Sequence, residues 1–140
     1  MRGDLYLVDT SVWLEVLPPG GRSLDLRGRV DALLAADLVA TTGVVRLELL
    51  GGARTEAEYR RLDSLLSALH CLPVDEERCG EAARLGFQLR RQGIALPFTD
   101  LLIAAVAMEA GATLLHRDRH FDVIAGHHPL KVESCVQAGS

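Results

Sequence analysis

TDLLIAAVAMEAGATLLHRD, Thr99 to Asp118, is the stretch whose reading decides the fold. A polar start at Thr99-Asp100 leads into Leu101 to Ala110, apolar almost all round, and Gly111 stops the run. A helix that is apolar on every side has to be buried, and glycine ends helices readily because it adopts the left-handed backbone without steric cost. Ala112 to His116 then reads as a short apolar strand, left by Arg117-Asp118. A buried helix feeding a buried strand is the building unit of a parallel sheet covered by helices.

Outward from this unit the same alternation fills the chain. Further strands are expected at Leu5 to Asp9, Leu38 to Thr42, His70 to Val74 and Leu130 to Ser134, each short enough to be buried. Between them, Ser11 to Leu17 reads as a short helix ended by Pro18-Pro19-Gly20-Gly21, and Leu24 to Ala36 as a second. Val44 to Leu50 is closed by Gly51-Gly52, and Thr55-Glu56-Ala57-Glu58 is a capping box opening a helix toward Ala68, so these two should form a helical hairpin. Asp75 can cap a helix running to about Gln92, with Arg90-Arg91 in the last turn and Gly93 beyond it. Arg117 to His128 is expected to be irregular or briefly helical, anchored by Phe121, Val123 and Ile124. The expected class is α/β, three layers with a central parallel sheet of four to five strands, in one domain spanning 1–140.

Composition narrows the class. With 140 residues, 49% hydrophobic and 24% charged, the chain can close one hydrophobic core and is too apolar to be disordered. Its best apolar run, Leu101 to Met108, is far short of the roughly 20 residues a membrane span needs, which predicts a soluble protein with no membrane partner. The residues before Asp9 cannot supply the apolar segment of a secretion signal, so the cytoplasm is the expected address. Cys71, Cys79 and Cys135 lack metal spacing and are expected to be reduced, mostly buried thiols. A net charge of -4 argues against a protein that coats nucleic acid, but the basic side chains are arginines apart from Lys131, and arginine suits bidentate phosphate contacts.

In an open parallel sheet, ligands bind outside the carboxyl ends of the strands. Asp9 closes the first strand, Asp118 follows the fourth, and Asp100 opens the buried helix on the same edge. Glu48 shares a helix face with Val44, Leu47 and Gly51, where a buried acid would need a cation, a proton or strong donors. Each acid also has an ordinary reading: Asp9 as a cap, Asp100 as an ordinary first-turn acid or cap, Asp118 in an Asx-turn or paired with Arg117 or Arg119, Glu48 reaching water or an arginine. Gathered in one crevice they would repel, by about 4 kcal/mol for two charges ~4 Å apart at an effective dielectric of 20. A divalent cation relieves that repulsion. Oxygen ligands favour Mg²⁺ or Mn²⁺, and such an ion beside a phosphate suits phosphodiester hydrolysis. Ser11 and Thr99 add hydroxyls that can position a water or phosphate, with helix capping as the equal alternative.

Val8-Asp9-Thr10-Ser11-Val12-Trp13, Glu48 within Arg46 to Gly51, Pro97-Phe98-Thr99-Asp100 leading to Ala105, and Asp118 with Phe121 resemble, in order, the motifs of PIN-domain ribonucleases. Size and motif wording are most similar to the VapC toxins of toxin-antitoxin pairs. The resemblance implies a PIN-like fold and an Mg²⁺- or Mn²⁺-dependent endoribonuclease acting on tRNA, rRNA or mRNA. It implies that Asp9, Glu48, Asp100 and Asp118 hold the metal with Ser11 assisting. It further implies a homodimer inhibited by a small VapB-type antitoxin, whose basic side chain can enter the acidic site. Asp122 is an alternative to Asp118 as the metal-facing acid, though its place after Phe121 suits a surface turn.

Other readings are weaker. His116 and His120 lack the glutamate of a zinc protease motif, and no nucleophile elbow or phosphate-binding glycine loop is present. A receiver-like phosphoacceptor domain shares the α/β alternation, but Asp9 stands without a paired acid and Lys131 falls inside a strand. A PIN nuclease of RNA processing, and a PIN-like protein that only binds RNA, are further alternatives. Trp13, Leu14 and Leu17 are expected in the core or, as the second alternative, in an interface. Arg90, Arg91, Arg117 and Arg119 are candidate contacts to the RNA backbone, against the ordinary role of solvated helix-end charges.

Overall fold

In the computed structural model, which describes residues 4–18 and 23–137, five strands form one all-parallel sheet: β1 (Tyr6–Val8), β2 (Val39–Thr42), β3 (His70–Leu72), β4 (Thr113–His116) and β5 (Val132–Ser134). Their order is β3-β2-β1-β4-β5. The central strands are largely buried, with Leu7, Ala40, Leu114 and Leu115 wholly inaccessible, whereas edge strands β3 and β5, three residues each like β1, are partly exposed. Short edges limit pairing with other chains. Each strand is a residue or two shorter than its apolar run, β2, β4 and β5 losing theirs at the start of the run.

The helices are α1 (Thr10–Val16), α2 (Leu24–Ala35), α3 (Gly43–Gly51), α4 (Glu56–Ser67), α5 (Glu76–Arg91), α6 (Phe98–Ala110) and α7 (Arg119–Ala125). Their ends follow local chemistry. Thr55 and Asp75 accept from the backbone N–H of Glu58 and Arg78, and Gly111, at φ 65°, closes α6. α6 is the central buried helix: Leu101 and Ile103 to Ala107 are all in the core. It packs along α5, and Gly86 of α5 makes room for it, since a Cβ there would lie 2.7 Å from Leu101 Cδ1. The helices flank the sheet, giving the expected layered α/β architecture.

Some expectations change and others are narrowed. Of the two readings for the stretch after β4 the short helix, α7, holds, because Asp118 caps it and Phe121 and Ile124, three apart, both reach the core. Trp13 is buried but Leu14 is 62% exposed, pointing away from the face that carries Val12, Trp13 and Val16. The cysteines are not mostly buried: Cys71 and Cys79 are exposed on an edge strand and an outer helix face, and Cys135 is half-buried; all three are free. Of the Pro-Gly stop, Pro18 follows α1 and Pro19 to Gly21 lie outside the described residues. The receiver alternative fails on topology, since such domains order their strands 2-1-3-4-5. No helix among the described residues is long and apolar enough to cross a membrane.

Candidate active site

β1 and β4 are neighbours in the sheet but far apart in sequence, and the chain leaves β1 toward one edge and β4 toward the other. This is the switch point at which an open parallel sheet offers a crevice. Asp9 is buried there directly after β1, its N–H donating to Leu115 O at 2.9 Å. Its Oδ2 accepts from Ser11 N–H at 3.0 Å and from Ser11 Oγ–H at 2.5 Å. Ser11 Oγ in turn accepts from Arg117 N–H at 2.9 Å, tying the start of α1 to the loop after β4. Asp9 thus caps α1 and also stands in the crevice. Burial raises its pKa, the bonds from Ser11 pull it down, and the charge of Asp118 adds to the rise.

Asp118 caps α7 by accepting from His120 N–H at 2.9 Å. Asp100 is no cap: it lies in the first turn of α6, after Pro97 at the cap position, and its buried carboxylate points to α7. His120 Nδ1 lies 2.8 Å from Asp100 Oδ2 and 3.3 Å from Asp118 Oδ1. One ligand atom from each of Asp100, Asp118 and His120 lie within 4.8 Å of one another. Burial lifts the Asp100 pKa to about 6, the hydrogen bond from His120 opposes this, and the charges of Asp118 and Asp9 add to it. Asp100, Asp118 and His120 form a donor set that suits a hard or borderline divalent ion, and Asp9, outside that close group, acts on the two acids through its charge.

Behind this cluster runs a second network. His116 is wholly buried at the end of β4, where its Nδ1 accepts from Asp118 N–H at 3.1 Å and its Nε2 faces Asp122 Oδ1 at 3.1 Å. Because Nδ1 accepts, the neutral ring carries its proton on Nε2 and donates it to Asp122. Burial lowers the His116 pKa, against the pull of Asp122 and the other acids, which keeps that neutral form. Asp122 Oδ2 accepts from Ser134 Oγ–H at 2.9 Å, joining α7 to β5. Asp122 is therefore neither in a surface turn nor aimed at the cluster; it anchors the histidine that holds the Asp118 backbone.

Glu48 departs from its expected setting. The buried residues of α3 are Val44, Val45 and Leu49, so Leu47 is 71% exposed and Glu48 is exposed beside it. Its Oε1 accepts from Thr10 Oγ–H at 2.8 Å, which brings it to the residue after Asp9 without burying it. The structure thus groups Asp9, Ser11, Asp100 and Asp118, with Glu48 at the rim. Thr99 is exposed. Arg117 pairs with Glu15 Oε1 at 2.7 Å, whereas Arg119, at the first position of α7, is exposed. Sequence reasoning missed His120, whose signal was its place two residues beyond a capping aspartate: at that spacing the cap brings its side chain back beside Asp118.

With this geometry in view, the chain belongs to the PIN domain family, whose sequence profile matches residues 6–127. Among curated relatives, it is 34% identical over 140 residues to ribonuclease VapC51 of Mycobacterium tuberculosis, covering 96% of each chain. It is also similar to the VapBC-5 toxin-antitoxin structure of M. tuberculosis, with TM-score 0.61 and 25% identity over 96% of this chain and 99% of that one. A Rickettsia felis VapBC2 structure bound to a promoter DNA fragment shares the fold, with TM-score 0.76 and 22% identity over 93% of this chain and 98% of that one.

Proposed function

We propose that this single PIN domain is the endoribonuclease toxin of a VapBC-type pair, hydrolysing RNA phosphodiester bonds at the crevice between β1 and β4 with the help of Mg²⁺ or Mn²⁺. The observation that carries the reading is the meeting of Asp100 and Asp118 from two separate elements, with the charge of buried Asp9 acting on both, in a chain whose curated relatives over nearly its full length are VapC ribonucleases.

Asp9, Asp100 and Asp118 would hold the ion, with Glu48 reaching it from the rim. When bound, a divalent cation supplies Lewis-acid polarisation of the phosphoryl group and lowers the pKa of an attacking water. The protein's own part is positional. Ser11 holds the Asp9 carboxylate and the β4 loop in one frame, so both acids keep their places as substrate arrives. Burial and mutual repulsion leave Asp100 partly protonated near pH 6, so the site gathers its full negative charge only above that range. Arg119, exposed beside Asp118, is placed to meet an RNA phosphate; Arg117, engaged with Glu15, serves first to stiffen the loop.

A VapB-type antitoxin is the proposed partner, supported by the likeness to VapBC-5, and a cationic side chain of that partner suits the acidic crevice. A homodimer and a cytoplasmic setting complete the reading. Exposed Phe87 and Phe98 flank an apolar groove of about 470 Å³ between α5 and α6, a surface suited to a protein partner. The deciding experiment is cleavage of a total tRNA and rRNA mixture with Mn²⁺ against EDTA, alongside Asp9→Asn. Metal-dependent cleavage lost in a folded Asp9→Asn protein is expected; full cleavage by that variant would refute the assignment.

A further inference from the structure

His120 is the one group at the cluster that is not an oxygen donor, and its setting calls for a role. Its backbone N–H is fixed by the Asp118 carboxylate, so its side chain starts from the second position of α7, directly over that acid. From there Nδ1 reaches 2.8 Å from Asp100 and 3.3 Å from Asp118, bridging a buried acid and a half-buried one on different helices. The three atoms, mutually within 4.8 Å, can contact one ion together. Two carboxylates and an imidazole on one side of an ion is a donor set that first-row transition metals prefer over Mg²⁺, which seeks oxygen and water.

We infer that His120 Nδ1 is a direct ligand of the catalytic ion and tunes the site toward Mn²⁺ over Mg²⁺. This rests on the acid cluster being the metal site proposed above. Two roles give opposite signs. If His120 served only as a counter-charge resting between two acids, a metal would have to displace it, and removing the ring would strengthen metal binding. If it is a ligand, removing it weakens binding, and more for Mn²⁺ than for Mg²⁺.

The test uses the full chain without RNA. Mn²⁺ is added to the protein and to His120→Ala, affinities for Mn²⁺ and Mg²⁺ are measured by calorimetry, and pulsed electron paramagnetic resonance reads nitrogen coupled to Mn²⁺. His120 lies outside the buried core, its side chain 43% exposed, so the variant is expected to fold, which circular dichroism checks. The expected result is a coupled nitrogen that disappears in His120→Ala, with Mn²⁺ affinity falling about tenfold or more and Mg²⁺ affinity falling less. Absent coupling in the unsubstituted protein, coupling that persists in the variant, or Mn²⁺ affinity that is equal or higher in the variant would overturn the inference. Asp100→Asn separates the two levels of the argument: if neither ion binds the parent protein, or if Asp100→Asn binds as the parent does, the acid cluster itself is not the metal site.

Discussion

The two walls of the crevice are built differently. On the β4 side, Asp118 is held through its backbone by a wholly buried histidine, its carboxylate caps a helix, and Asp122 and Ser134 extend the network to β5. On the α3 side, Glu48 is exposed and reaches the crevice through one hydrogen bond from Thr10. One wall is preorganised and the other is adjustable. An acid held from several directions cannot retreat from its neighbours' charge, so it stores repulsion that a cation relieves; an exposed acid relaxes into water and stores little.

The largest effect should come from Asp100, on the rigid wall. Its folded pKa of about 6 lies above its ordinary 3.8, so the metal-free protein holds that proton more tightly than the unfolded chain does. The sign follows: metal-free stability is greatest below about pH 4 for this group and falls as pH rises toward 6, by ~3 kcal/mol at most. Asp100→Asn should flatten that decline, raise the stability of the EDTA-treated protein at pH 7, and abolish both Mn²⁺-induced stabilisation and RNA cleavage. Urea titrations between pH 4 and 8, with EDTA or Mn²⁺, check all three; a pH profile unchanged by the substitution would break the comparison at its strongest point.

Next is His116. His116→Ala leaves the Asp118 N–H and the Asp122 carboxylate without their partner and opens a cavity, which should cost about 2–3 kcal/mol in urea unfolding. His116→Asn can still accept from the Asp118 N–H, so it should recover more cleavage than stability. Equal activities for the two variants would show that holding the Asp118 backbone is not what His116 contributes.

Gly86→Ala probes how α6, and with it Asp100, is seated. The new Cβ would push aside Leu101 Cδ1, the end of a buried side chain, while alanine's better helix propensity offsets part of the cost, so a net loss of no more than about 1 kcal/mol in melting or urea experiments is expected, with Mn²⁺ binding measured alongside it. The smallest stability effect belongs to the adjustable wall. Glu48→Gln should change stability by no more than ~0.5 kcal/mol while lowering the rate of RNA cleavage. A loss above 1 kcal/mol would mean that this wall, too, is built into the fold.

Much of this was legible before any coordinates. Gly111 after an all-apolar run located α6 and β4, and acids at strand ends pointed to the switch point, because hydrophobic periodicity and cap chemistry act over a few residues. The environment of Glu48 was not legible. An apolar residue such as Leu47 looks inward in the sequence, but which way α3 turns depends on what it packs against, and Val44, Val45 and Leu49 face in instead. The histidines were hidden for a related reason: α7 read as irregular or briefly helical, and without its cap geometry nothing brings His120 to Asp100 or His116 to Asp122.

By itself the amino-acid order determined the succession of strands and helices and the chain positions of the acids, since these depend on local propensity and pattern. Only the tertiary structure decided the strand order β3-β2-β1-β4-β5, the outward rotation of Glu48 and the seat of His120 between two carboxylates. Those are matters of non-local pairing and side-chain direction across elements, settled by which surfaces can be buried together rather than by any neighbour in the chain.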